Sequence, residues 1–128
     1  KQTIIREVYI MIYVKQDAKT IEEGFEFLKE AAIQDYNAFI SDNDSMKAEF
    51  RSSFRLEKGL KYAKVISKNS VFAFIVKEDM KTKYGQPMFK KGDILKPASW
   101  SAPAKNRARG NILEGNYPIQ WTGPLYLN

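Results

Sequence analysis

Residues 20 to 40 constrain the fold more than any other segment, because their apolar side chains recur at the spacing of one helical face. The apolar stripe contains Ile21, Phe25, Leu28, Ala32, Tyr36 and Phe39. Thr20 and Glu23 have the spacing of a capping box, in which each side chain accepts a hydrogen bond from a free backbone amide at the helix start. The sequence therefore predicts a long amphipathic helix that begins after Thr20 and runs to about Ile40.

Two further segments are rich in β-branched and aromatic residues and predict strands. Residues 4 to 14 carry a nearly continuous apolar run, which predicts a central strand buried on both faces. Residues 62 to 67 and 71 to 76 flank Lys68-Asn69-Ser70, which predicts a hairpin whose second strand is also central.

The segments around these elements have weaker patterns. Residues 41 to 45 have turn composition, and the apolar residues Met46, Phe50 and Phe54 predict a short second helix after it. Residues 78 to 110 contain three prolines and three glycines, which predict extended and loop structure, with a tight turn over residues 90 to 93 leading into a short strand. Residues 117 to 127 predict an edge strand interrupted by Gly-Pro.

These elements together predict a single α+β domain spanning residues 1 to 128. In it, one long amphipathic helix packs on a mostly antiparallel sheet of four to five strands, and a long basic loop region containing Pro and Gly crosses one side. No apolar run approaches the roughly 18 residues that span a bilayer, and no signal-peptide pattern opens the chain. We therefore expect a cytoplasmic protein that does not contact a membrane.

The chain has no Cys and no His, which excludes disulfides, thiolate nucleophiles, Cys or His metal ligands and a histidine base. It also lacks the glycine-rich signatures of nucleotide-binding loops. Carboxylates, Lys, Tyr, Ser and Thr remain for catalysis, so an enzyme ranks third among the function classes. We expect a protein without enzymatic activity, cofactor or bound metal.

Charge is unevenly distributed along the chain. Residues 20 to 44 contain seven acidic residues and one Lys, a net charge of −6, whereas residues 77 to 110 contain nine cations and three acidic residues, a net charge of +6. The Glu-rich helix face could dock on a basic partner or mimic nucleic acid, but the simpler interpretation is the solvated face that an amphipathic helix requires.

The most suggestive stretch is residues 89 to 111, where six cations surround one Trp, small residues and hydrogen-bonding Ser and Asn. Such a composition is typical of a surface that follows a phosphate backbone while an aromatic ring stacks on a base. The candidate nucleic-acid-binding residues are Lys90, Lys91, Lys96, Trp100, Lys105, Arg107 and Arg109.

Each part of this stretch also has a structural interpretation. Trp100 lies between Pro97 and Pro103, and for this residue alone we favour a plug that holds the loop to the core. The charges can equally be those of a solvated loop. Residues 107 to 111 can form an anion-binding nest or a loop that is salt-bridged to the acidic helix.

Three stretches resemble small uncharacterised proteins encoded by tailed bacteriophages: residues 91 to 100 (KGDILKPASW), 108 to 112 (ARGNI) and 121 to 127 (WTGPLYL). The resemblance covers roughly the C-terminal third and implies no functional residues. It does imply a protein that acts in the cytoplasm of an infected bacterium, where small basic phage proteins often bind nucleic acid or block a host protein.

Two functions follow from the sequence. The leading one is a module for single-stranded or structured DNA or RNA that works through charge and stacking with little sequence readout. The alternative is a protein-interaction module, such as a phage inhibitor of a host protein, that uses the same loop or the acidic helix.

Overall fold

The computed structural model describes residues 11–40 and 42–125. The elements, in chain order, are β1 (Ile12–Val14), α1 (Ile21–Phe39), α2 (Asp44–Ser52), β2 (Arg55–Lys58), β3 (Tyr62–Ser67), β4 (Ser70–Val76), β5 (Met80–Lys81), β6 (Pro87–Phe89), β7 (Ile94–Leu95) and β8 (Tyr117–Ile119). The predicted α+β class is confirmed, and the largest sheet has four strands.

Helix α1 begins where the capping box predicts. The Thr20 side chain accepts a hydrogen bond from the amide of Glu23 (3.1 Å), and the Glu23 carboxylate accepts one from the amide of Lys19 (2.8 Å). Both interactions satisfy amides that have no partner within the helix. The short second helix is confirmed as α2, whose cap is the side chain of Asn43.

The four-stranded sheet is antiparallel and has the order β2-β3-β4-β7. The predicted hairpin is its centre, and β4 lies between β3 and β7 with its last five residues buried. The positive backbone φ of this hairpin turn falls on Lys68 (φ 58°).

The two faces of this sheet carry different layers. The helix side, defined by Ala63, Val65, Ala73, Ile75 and Ile94, packs in one core with the stripe of α1 and with Phe50 of α2. The opposite face, called here the hairpin side, presents Phe74, Val76 and Leu95, which pack with Phe89 of β6 and with Met80 of β5. Alternation along each strand separates the two sets.

Two expectations from the sequence need correction. The described part of the first predicted strand is β1, which pairs with β8 in a two-stranded sheet and leaves Tyr13 49% exposed, so it is not buried on both faces; residues 4–10 lie outside the described residues. Phe39 is 67% exposed, because the stripe of α1 leaves the core in its last turn.

The edge strand predicted over residues 117 to 127 is confirmed in part as β8, which ends at Ile119. Gln120 and Gly123 then form an isolated bridge around a turn, and residues 126 and 127 lie outside the described residues. Among the described residues, no helix combines the length and the apolarity that crossing a bilayer requires.

Candidate nucleic-acid interface

Residues 96–104 fold into a narrow loop, called here the Trp100 loop. The amide of Ala104 donates to the carbonyl of Lys96 (2.8 Å), and the amide of Ala98 donates to the carbonyl of Ala102 (2.9 Å). Pro97 and Pro103 form a backbone bridge between the two arms. These contacts fix the arms and place Trp100 at the tip.

Trp100 is 48% exposed, so the expected plug is wrong. The buried residue of the loop is Pro103. The Lys64 ammonium lies 4.4 Å from the centroid of the Trp100 ring and 5.7 Å from that of Phe74, the residue directly opposite Lys64 on β4. Trp100 therefore lies on the hairpin side, with a cation over its ring and about half of its surface open to solvent.

The turn between β2 and β3 lies beside the Trp100 loop. Glu57, Lys61, Lys64 and Ser101 contribute to the lining of one pocket there, with a volume of about 220 Å³. Lys61 is exposed and forms no ion pair with any residue that the structure describes. The pocket therefore brings together Lys61, Lys64 and the carboxylate of Glu57, and Lys64 also lies over the ring of Trp100.

Two other lysines at this turn have internal partners. Lys58 forms an ion pair with Glu22 at the start of α1. The ammonium of Lys77 donates to the carbonyl of Gly59 (2.7 Å). These contacts stabilise the turn, and the ion pairs of the described residues include neither Lys61 nor Lys64.

Lys61 and Lys64 lie outside the continuous basic stretch of residues 89 to 111 that defines the candidate site in the sequence. The available signal was the cation in the otherwise apolar strand Tyr62-Ala63-Lys64-Val65-Ile66. A lysine at such a position must lie over a neighbouring ring or reach solvent with its charged end.

The structure divides the predicted cations into two groups. Lys96 donates to the carbonyl of Pro124 (2.6 Å), and Arg109 donates to the carbonyls of Leu125 (2.7 Å) and Arg107 (3.1 Å). Burial lowers the pKa of both Lys96 and Arg109, and a guanidinium lies near each: Arg109 near Lys96, and Arg107 near Arg109. Lys96 and Arg109 therefore attach residues 124 and 125 to the rest of the fold.

The other predicted cations lie at the surface. Lys90 forms an ion pair with Glu114, and this hydrogen bond raises the pKa of Lys90. Lys91, Lys105 and Arg107 are exposed, and in residues 11–40 and 42–125 no carboxylate forms an ion pair with them.

Neither interpretation of residues 107 to 111 is correct. The amides of Arg109 and Ile112 donate to the carbonyls of Ile94 and Gly92 at 2.8 Å, so the backbone pairs beside β7 and does not form an open nest. The ion pairs within the described part of the chain include none between this segment and α1.

We expect Arg109→Gln to lower the free energy of unfolding by about 1 to 2 kcal/mol, because it removes charged donors from partly buried carbonyls. Urea unfolding measures the change, and Lys105→Gln is the control because Lys105 is exposed. Equal midpoints for the two variants would show that the Arg109 contacts do not stabilise the fold.

The acidic helix α1 and the basic segment 77–110 pack on opposite faces of the four-stranded sheet. Helix α1, with exposed Glu22, Glu23, Glu26 and Glu30, covers the helix side. Residues 77–110, with a net charge of +6, include the hairpin and loop that pack on the opposite side. No cluster of His, Cys, Asp or Glu in the described segments has an arrangement that could hold a metal ion.

The fold and this surface define a small α+β protein with an acidic helical layer and a basic layer of hairpins on opposite sides of one sheet. Residues 9–127 match DUF7717, a family of unknown function, and the chain belongs to that family. The match covers nearly the whole chain. No curated protein and no solved structure matches it significantly.

Proposed function

We propose that the protein binds single-stranded nucleic acid on the hairpin side, without catalysis and with little sequence readout. The observation that carries the proposal is the half-exposed Trp100 ring with the Lys64 ammonium 4.4 Å from its centroid. An aromatic ring offers a stacking surface to any base, and adjacent cations attract the phosphate on either side of it.

The division of charge supports the same face. Helix α1 packs on the other face of the sheet. Its Glu22 forms an ion pair with Lys58 at the β2–β3 turn, and Glu23, Glu26 and Glu30 are exposed, so repulsion of phosphate by these carboxylates disfavours binding through the helix. Lys91, Lys105 and Arg107 remain candidate phosphate contacts from the sequence, joined by Lys61 and Lys64. Lys90 is partly neutralised by Glu114, and we assign Lys96 and Arg109 a structural role.

The resemblance of three stretches to tailed-phage proteins supports a setting for this activity. In an infected bacterium, single strands arise during replication and recombination, and a small basic protein could cover them. We therefore propose a phage-encoded protein that acts in the host cytoplasm.

The test is fluorescence anisotropy of a labelled oligothymidine and of a labelled duplex at two salt concentrations. We expect saturable binding of the single strand that weakens steeply with salt. The double variant Lys61→Gln/Lys64→Gln should reduce the slope of log affinity against log salt by about 1 to 2, since each phosphate contact contributes about one unit.

The charge control is Lys29→Gln/Lys47→Gln, which removes two positive charges from the helices, one of them from the Lys29–Glu26 ion pair. Equal slopes for the two double variants would remove Lys61 and Lys64 from the interface. Absence of single-strand binding at low salt would reject the proposed function.

A protein partner is the second candidate, and one observation favours it. Phe39 and Trp121 lie with their ring centroids 5.3 Å apart and line a pocket of about 480 Å³ on the helix side. Asp35, Ala38 and Phe39 of this partly apolar patch lie at the C-terminal end of α1, the acidic helix that the sequence suggested as one surface for a protein partner. It becomes the leading site if no oligonucleotide binds.

A further inference from the structure

A second aromatic side chain lies at the tip of a hairpin. Tyr84 is 78% exposed in the turn that joins β5 to β6. The Thr82 hydroxyl oxygen accepts from the amides of Tyr84 (3.3 Å) and Gln86 (3.2 Å), and the amide of Gly85 donates to the Thr82 carbonyl (2.9 Å). These hydrogen bonds fix the backbone of the turn that carries Tyr84, and its ring is open to solvent.

Cations accompany this ring, as they accompany Trp100. The Lys83 ammonium lies 5.2 Å from the centroid of the Tyr84 ring. Lys81 and Lys83 are exposed, and neither forms an ion pair with a described residue. The carboxylate of Asp79, at the base of the hairpin, accepts a hydrogen bond from the amide of Lys91 (2.8 Å).

The hairpin packs on the same side of the sheet as the Trp100 loop. Phe89 and Met80 contact the cluster of Phe74, Val76 and Leu95. Lys64, the residue beneath Trp100, lies opposite Phe74 on that face. The Tyr84 hairpin and the Trp100 loop therefore both pack on the hairpin side of the sheet.

We propose that Tyr84 is a second stacking contact for the strand that Trp100 binds, with Lys81 and Lys83 as its phosphate ligands. This inference rests on the proposed function and adds a length requirement to it. A short oligonucleotide occupies the Trp100 contact alone, whereas a longer one occupies both contacts. Affinity should then increase with length until both tips are reached.

The experiment measures the affinity of the full chain for oligothymidines of about 4 to 16 nucleotides, the range of site sizes seen in small single-strand-binding folds. The variants are Tyr84→Ala, Tyr84→Phe and Trp100→Ala. We expect Tyr84→Ala to bind the longest strand about tenfold more weakly than wild type and the shortest strand equally well. Tyr84→Phe retains the ring and should bind every length like wild type.

Each outcome separates the second contact from the first. Equal affinity of Tyr84→Ala and wild type for the longest strand overturns the second contact, provided that Trp100→Ala still weakens binding. A loss of equal size at every length also overturns it, because Tyr84 would then act at the same contact as Trp100. If wild type binds no strand of any length, the proposed function fails and the second contact fails with it.

Discussion

Replacement of Trp100 by alanine is expected to weaken binding of single-stranded DNA by about tenfold to a hundredfold, because the stacking of a base on an aromatic ring contributes about 1 to 3 kcal/mol. The ring is half exposed at the tip of its loop, so its removal leaves no cavity in the core. The fold should persist, and the loss should be of similar size for DNA of different sequences. Anisotropy titrations measure the affinity.

Phe39→Ala is the control for this prediction, since it removes another exposed ring from the helix side. Trp100→Phe should recover most of the affinity because it restores a stacking surface. If Trp100→Ala binds like wild type while Phe39→Ala does not, the interface lies on the helices and the assignment to the hairpin side is wrong.

Phe50→Ala should lower the free energy of unfolding by about 3 to 5 kcal/mol, the cost usual for removal of a buried phenyl ring. Phe50 is 1% exposed, and its ring stacks on that of Tyr36 with centroids 4.1 Å apart and meets that of Phe54 edge to face at 5.1 Å. The cavity would lie between α2 and α1, where the Phe50 ring now contacts Tyr36. Urea or thermal unfolding followed by circular dichroism measures the loss.

The same Phe39→Ala variant serves as the control, because an exposed phenyl should cost under about 1 kcal/mol. A loss below about 1 kcal/mol for Phe50→Ala would mean that α2 contributes little to the stability of the core.

The sequence predicted the elements whose signals are local. The cap at Thr20, the stripe of α1 and the hairpin turn between β3 and β4 depend on residues within a few positions of each other. The pairing of Ile12 with Ile119 joins residues from opposite ends of the chain, and no local pattern specifies it. Phe39 continues the stripe in sequence, yet it lies beyond the point where the helix contacts the core.

The candidate site was harder to predict, because exposure of a cation depends on distant partners. Lys96 and Arg109 resemble Lys105 and Arg107 in sequence, but carbonyls 28 and 16 residues away bind the first two. Lys64 comes beside Trp100 only through folding of the loop onto β3. The count of charges along a chain therefore predicts which region is basic. It does not predict which of the cations bind groups within the protein and which remain open to solvent.

The two tryptophans of the chain lie on opposite sides of the sheet. Trp121 packs with its ring centroid 5.2 Å from that of Tyr36 and 6.3 Å from that of Phe50, whereas Trp100 faces solvent at the tip of its loop. Their emission should consequently differ in wavelength and in access to quenchers such as iodide. In an unlabelled sample, the red-shifted emission of Trp100 would then report binding at the proposed site, and the emission of Trp121 would report loss of packing in the core. Both could be followed in one titration.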